Sequence, residues 1–237
     1  MQEFEYSNGS QSTLFTKREF DELCDQLLCG TPHFGEITLL QLMSDGMSKR
    51  DLYLRVLLQA ARQFGFLWDE NEVSYLSVQL AMLRIEGFLE GVQSPEPSKI
   101  TQNTKQAILA SIPGDSHTIG AKFAADTLRS MGWDIDLKTK SNYSKLMVEI
   151  DNSTASILAL SIGSISSTNT LQRIVKTVQL IRPETKILIS GPLVEFDRKL
   201  FDNLKIDGLF SRFEDAEDAL NNLGKTDPGS NHRVRLT

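Results

Sequence analysis

The chain has 237 residues and a net charge of −6, with 40% hydrophobic and 24% charged residues. That is the make-up of an ordinary soluble globular protein, long enough for one large domain or two modest ones with real cores. An acidic total argues against a surface built to neutralise many phosphates, so direct DNA binding is not expected. The two cysteines, Cys24 and Cys29, are too few for a disulfide framework and read as reduced thiols on one helix. No apolar run approaches the roughly 20 residues of a membrane span. The polar, acidic start is neither a signal nor a transit peptide, so a cytoplasmic protein with no membrane partner is expected.

In chain order, residues 1–14 carry no periodic pattern and read as disordered. Residues 15–92 read as helix throughout. Thr16-Lys17-Arg18-Glu19 is a capping box that opens a first helix ending at Gly30. A short second helix covers 36–43 and closes at Ser44-Asp45-Gly46. Ser48 can cap a third, where Leu54, Leu57, Leu58, Ala61 and Phe64 form a stripe up to Gly65. The fourth runs from about 72 to 91, with Leu76, Leu80, Leu83 and Gly87 on one face and Val78, Met82, Ile85 and Leu89 on another. Both faces are expected to be buried. Four short helices joined by tight turns make a small bundle.

Two prolines and small polar residues around Gln93-Ser94-Pro95-Glu96-Pro97-Ser98 mark a linker, taken as 93–104. From 105 to 224 the pattern alternates. Strand-like runs at 106–112, 133–137, 156–161, 186–190 and 207–210 are separated by helix-like segments at 119–131, 142–150, 170–181, 195–203 and 214–222. Strict alternation predicts an α/β domain with a five-stranded parallel, doubly wound sheet of the flavodoxin-like, Rossmann-like kind. Residues 225–237 read as a flexible tail. Right-handed crossovers bring the loops after the first, third and fourth of these strands to one rim. Those loops hold His117, Ser161-Ile162-Gly163-Ser164 and Gly191-Pro192.

The most informative stretch is Pro113-Gly114-Asp115-Ser116-His117-Thr118-Ile119-Gly120, between the first strand and its helix. It sets an acid and an imidazole two positions apart, with a glycine where a large planar ligand could approach the backbone. The pattern Asp-x-His-x-x-Gly resembles the cobalamin-binding loop of B12-dependent methyltransferases and photoreceptors. That resemblance implies that His117 is the lower ligand of cobalt and that Asp115 holds its other ring nitrogen. Such a pairing fixes the tautomer and makes the ligating nitrogen more basic. Ser116, Thr118, Ile119 and Gly120 are then cofactor-binding positions of the same loop. Ser161-Ile162-Gly163 and Gly191-Pro192 stand where the family has a Ser-x-Leu or Ser-x-Thr element and a Gly-Gly pair. There the family seats the displaced nucleotide tail of cobalamin in a deep slot. Gly163 in the third position and Pro192 in the place of a second glycine depart from the family pattern. A receiver domain would need an acidic pair after the first strand, an aspartate after the third and a lysine after the fifth; the chain offers Ser161 after the third and no lysine directly after Phe210.

Within that family, the histidine loop together with Met131-Gly132-Trp133-Asp134-Ile135 resembles the AerR/PpaA antirepressors of photosynthesis genes and the C-terminal domain of AppA. The likeness extends into the bundle through Phe64-Gly65-Phe66-Leu67-Trp68-Asp69-Glu70. It implies a helical cap over the upper corrin face, with Trp68 pointing at it. It also implies a cobalamin (adenosyl-, methyl- or hydroxocobalamin) as cofactor and a transcriptional repressor of the PpsR/CrtJ type as partner. Heme is the alternative cofactor on the same fold, and a corrinoid-carrying methyltransferase subunit the alternative role. The Glu-His pair of CarH-type light sensors has no counterpart, since Val78 and Gln79 occupy those positions. No nucleophile, zinc site, Rossmann fingerprint or P-loop suggests an enzyme in its own right.

Overall fold

A computed structural model describes residues 4–7, 12–29, 33–92 and 105–211, with positions 215, 218 and 220. It divides into two compact units, Met1–Gln93 and Ser94–Thr237. The expected linker at 93–104 and tail at 225–237 lie outside the described residues, as does most of the helix expected at 214–222.

The first unit opens on a two-stranded antiparallel hairpin, β1 (Phe4–Ser7) and β2 (Ser12–Phe15). The sequence reading has no element there, because two four-residue strands are too short to show periodicity. Helix α1 (Lys17–Cys29) begins as expected. The Thr16 backbone N–H donates to Glu19 Oε2 at 2.8 Å and the Glu19 N–H to Thr16 Oγ1 at 3.3 Å, a reciprocal cap. Cys24 is buried in this helix, and burial pushes its thiol up to about 12, so it packs as a small apolar side chain.

Helix α2 (Phe34–Ser44) is followed by a longer helical stretch in three parts. Ser48 caps α3 (Lys49–Asp51) by accepting from the Asp51 N–H at 3.0 Å. A π-helical segment (Leu52–Leu57) follows, then α4 (Leu58–Asp69). The wider π turn takes an extra residue and rotates the buried face. The core side chains are therefore Leu52, Tyr53, Val56, Leu57, Ala60 and Phe64, while Leu54, Leu58 and Ala61 are only partly buried. This corrects the stripe read from a uniform 3.6 period.

Helix α5 (Tyr75–Gly91) starts where Ser74 accepts from the Ser77 N–H at 3.0 Å. It is buried on one side only, through Ala81, Ile85, Phe88 and Leu89. Its other apolar stripe is open, with Leu76 66% and Leu83 60% exposed. A bundle of so few helices covers one face of α5, which is why the expectation of two buried sides fails.

The second unit is the predicted five-stranded parallel sheet. In chain order it runs β3 (Gln106–Ser111), α6 (Ile119–Ser130), β4 (Asp134–Lys138), α7 (Tyr143–Asp151) and β5 (Ile157–Ser161). Then come α8 (Thr168–Ile181), β6 (Lys186–Ser190), α9 (Pro192–Phe196) and β7 (Gly208–Phe210). The strand order is β4-β3-β5-β6-β7, which is the flavodoxin-like 2-1-3-4-5. Helices cover both faces, so the central strands are apolar runs rather than alternating ones. Ile108, Ala110, Leu158, Leu160, Ile187 and Ile189 pack with α7 and α8, and Ala107, Leu109, Ile157 and Leu188 pack with α6.

The helix expected at 195–203 is replaced by the five-residue α9 and a 3-10 turn, Arg198–Phe201. Asp197 breaks it by taking an extended conformation and accepting from the Lys199 N–H at 3.1 Å.

Candidate functional site

The site is built where the chain leaves the C-terminal ends of β3, β5 and β6. After β3 the chain turns through Ile112-Pro113-Gly114-Asp115, closed by the Asp115 N–H donating to the Ile112 carbonyl at 2.9 Å. Proline at the second position and Gly114 at φ +88° at the third are what a type II turn demands. The turn aims the Asp115 side chain inward, and that side chain has no exposed surface.

Both carboxylate oxygens are doubly engaged. Oδ1 accepts from the His117 backbone N–H at 3.0 Å and from His117 Nδ1 at 2.8 Å. Oδ2 accepts from the backbone N–H groups of Gly163 at 2.8 Å and Ser164 at 3.0 Å, on the loop after β5. Burial pushes the carboxyl pKa up, but the four donated hydrogen bonds outweigh it and hold Asp115 well below the usual carboxylate range. It is an anion at every physiological pH.

That anion fixes the imidazole. The Asp115 hydrogen bond raises the His117 pKa, against a smaller opposing effect of burial. Because the carboxylate only accepts, Nδ1 carries the proton of the neutral ring and the lone pair sits on Nε2. No described residue hydrogen-bonds to Nε2, and half of the side chain is exposed. Its ring lies on Gly163, where a Cβ would come within 2.2 Å of His117 Cγ. Any side chain at 163 would push the imidazole off its seat. The departure from the family pattern at 163 thus has a local reason.

The third loop is as tightly constrained. Gly191 has φ +121°, and a Cβ there would lie 2.3 Å from the Ile162 carbonyl oxygen. Pro192 occupies the first position of α9, where a missing N–H costs nothing. The strand register puts Ser190, and not Pro192, beside Ser161. Among the predicted loop residues, Asp115 and Ser161 are buried, Thr118, Ile119, Gly163 and Gly191 are half-buried, and Ser116, His117, Gly120 and Pro192 are exposed. Ser164, named in its loop but not among the expected binding residues, takes part through its backbone N–H, which no residue type announces. Ser111 and Ser190 were missed by sequence reasoning, although both end strands next to Ser161. Trp68 belongs to the first unit, where it is 48% exposed with its ring 5.9 Å from that of Tyr75.

The described residues hold no group of three or more His, Cys, Asp or Glu side chains able to bind a bare metal ion. A lone, oriented imidazole suits a metal whose other positions are filled by its own macrocycle. No described helix is long and apolar enough to cross a membrane.

Comparison with known proteins agrees with this geometry. A family model of the B12 binding domain matches residues 105–223. The chain is 26% identical over 139 residues to an uncharacterized 20.5 kDa protein in the bchF-crtJ intergenic region of Rhodobacter capsulatus, over 57% of this chain and 72% of that protein. Among solved structures, the monomethylamine corrinoid protein of Methanosarcina barkeri superposes with a TM-score of 0.70. That likeness covers 87% of this chain and 99% of that one at 16% identity, and so concerns the fold.

Two outcomes follow from the clasp. The His117 ring, followed by NMR, should titrate above 6.5, its ordinary value, and fall in Asp115→Asn, whose amide cannot accept on both sides. The sign is that of a raised base: its stabilisation is full below the unfolded pKa of histidine and is lost as pH rises through the folded one. Asp115 contributes the opposite limb, present above its unfolded pKa and lost as pH falls towards its depressed folded value. A midpoint unmoved by Asp115→Asn would remove the clasp. Gly163→Ala should lower stability by about 1–3 kcal/mol, the range for overpacking, and shift the His117 ring resonances; unchanged melting and resonances would show that the imidazole does not rest on Gly163.

Proposed function

Starting from the fact that this chain belongs to the B12-binding domain family, we propose that it is a cobalamin-binding regulator that acts by contacting a transcriptional repressor. The observation that carries the cofactor half is the Asp115–His117 pair on its Gly163 seat, with no described residue hydrogen-bonded to Nε2. The residues fit the group on three counts. His117 would offer one nitrogen to the cobalt, Asp115 sets its tautomer, and Gly163 leaves the imidazole the room for its seat.

A corrinoid, when bound, would supply a cobalt centre whose ligation can respond to light or redox state, with His117 as the residue to hold it. The chain's own work is to hold the imidazole in one tautomer, to keep its second nitrogen turned outward, and to resist protonation changes at Asp115. In this reading Trp68 is the residue of the helical unit that the family resemblance assigns to the cofactor. The exposed stripe of Leu76, Leu80 and Leu83 gives that unit an apolar surface to present.

The regulatory half rests on other support. The relative from Rhodobacter capsulatus is encoded between bchF and crtJ, in keeping with a role beside a repressor of the CrtJ type. The net charge of −6 favours a protein partner over DNA.

Reconstitution in the dark should give corrin bands in the wild type. Asp115→Asn should weaken binding by roughly 10–100-fold, the scale for an orienting partner, and His117→Ala by more. An unchanged affinity and spectrum in His117→Ala would refute ligation by that residue, and a Soret band would transfer the site to heme. For the output, a PpsR/CrtJ-type repressor should be captured differently by apo and cobalamin-loaded protein, or in dark and light. Equal capture in all four conditions would leave a cofactor carrier, the expectation for a methyltransferase subunit.

A further inference from the structure

Three serines stand side by side at the C-terminal edge of the sheet. Ser111 of β3 pairs with Ser161 of β5, and Ser161 pairs with Ser190 of β6. Paired residues of parallel strands project to the same face, and alternate residues along each strand share it. The row therefore continues the face carrying Ala107, Leu109, Ile157 and Leu188, which packs against α6. Beyond Lys186 at the start of β6, that face is apolar until its last level, where it presents three hydroxyls in succession.

Ser111 is 4% exposed and Ser161 6% exposed. Ser111 Oγ is the one buried side-chain polar atom among the described residues with no hydrogen-bond partner. Orphaned buried hydroxyls are rare, and one at the mouth of a binding rim marks a bond left for something else to complete. The loops directly above the row carry Gly163 and Gly191, neither of which could bear a side chain without collision. Neighbouring strands lie about 4.8 Å apart, so the three hydroxyls span roughly 10 Å, the width of a fused-ring heterocycle.

We propose that Ser111 and Ser190, flanking Ser161, select the lower base of the cofactor, favouring a purine with several edge nitrogens over a base without them. The inference rests on the corrinoid reading above and concerns only which corrinoid is held. A benzimidazole offers one free ring nitrogen to the row, and a phenolic base offers none. An adenine base offers further ring nitrogens and an amine, enough for each hydroxyl to pair. A polar row rejects an analogue that cannot satisfy it, because its hydroxyls are then buried unpaired.

The test is absorbance titration of the full chain with four probes: cobinamide, which lacks the nucleotide tail, and cobamides carrying adenine, dimethylbenzimidazole or p-cresol. The wild type should bind the adenine form tightest and the p-cresol form weakest. Ser111→Ala and Ser190→Gly should each reduce the adenine-over-p-cresol ratio by about three- to tenfold, the worth of one hydrogen bond. Both should leave cobinamide affinity unchanged. Ser111→Ala removes an unpaired polar atom, so its melting temperature should hold or rise, which separates a binding effect from misfolding. An equal ratio in wild type and both variants, with cobinamide still bound, would overturn the serine row alone. Failure of all four probes to bind would instead overturn the corrinoid reading beneath it.

Discussion

Asp115 is a carboxylate with no exposed surface, tolerable only because four N–H groups converge on it. Two of those donors come from its own loop and two from a loop 48 and 49 residues away in sequence. One side chain therefore joins the exit of β3 to the exit of β5, and in doing so decides where the His117 ring lies and which nitrogen it turns outward. Each other part of the rim serves that arrangement. The Pro113-Gly114 turn delivers the aspartate, Gly163 makes room for the imidazole, and Gly191 lets the chain pass the Ile162 carbonyl. A site held this way is preorganised: the ring does not have to be ordered when a ligand arrives.

The sheet topology explains why the joint lies between these two loops. With order β4-β3-β5-β6-β7, the chain leaves β3 towards one edge and later strands build towards the other. Connections from β3 and β5 therefore run to opposite faces and leave a crevice at their C-terminal ends. Two parallel strands that separate in this way leave backbone N–H groups without sheet partners. Here Gly163 and Ser164 direct theirs to Asp115, so the donors that the crevice orphans are the ones that hold its anion.

Local chemistry made much of this legible from residues alone. The caps at Thr16 and Ser48, the strand-helix alternation and the Asp-x-His spacing each involve residues close together in the chain. What escaped depends on distance or on a partner. The Asp115 bonds to Gly163 and Ser164 cross two helices and two strands of chain. The π turn at Leu52–Leu57 shifts a buried stripe without any proline or glycine to announce it. The open stripe on α5 has the same periodicity as a buried one, since spacing shows that side chains share a face and not that anything covers it. The serine row needs the strand register, where a slip of one residue moves every side chain to the other face.

That open stripe constrains the regulatory reading. A ligand shifts an equilibrium only through unequal affinity for its two states. If the corrinoid touched the sheet unit alone, and that unit held one conformation, no partner could sense whether it was bound. The clasp holds the histidine loop in one arrangement, so any difference between states has to be expressed elsewhere. The helical unit holds an apolar surface, Leu76, Leu80 and Leu83, whose exposure is costly and whose burial is favourable. On the regulatory proposal, covering that face is a step whose free energy two states could change unequally, with no rearrangement of the strands beneath His117.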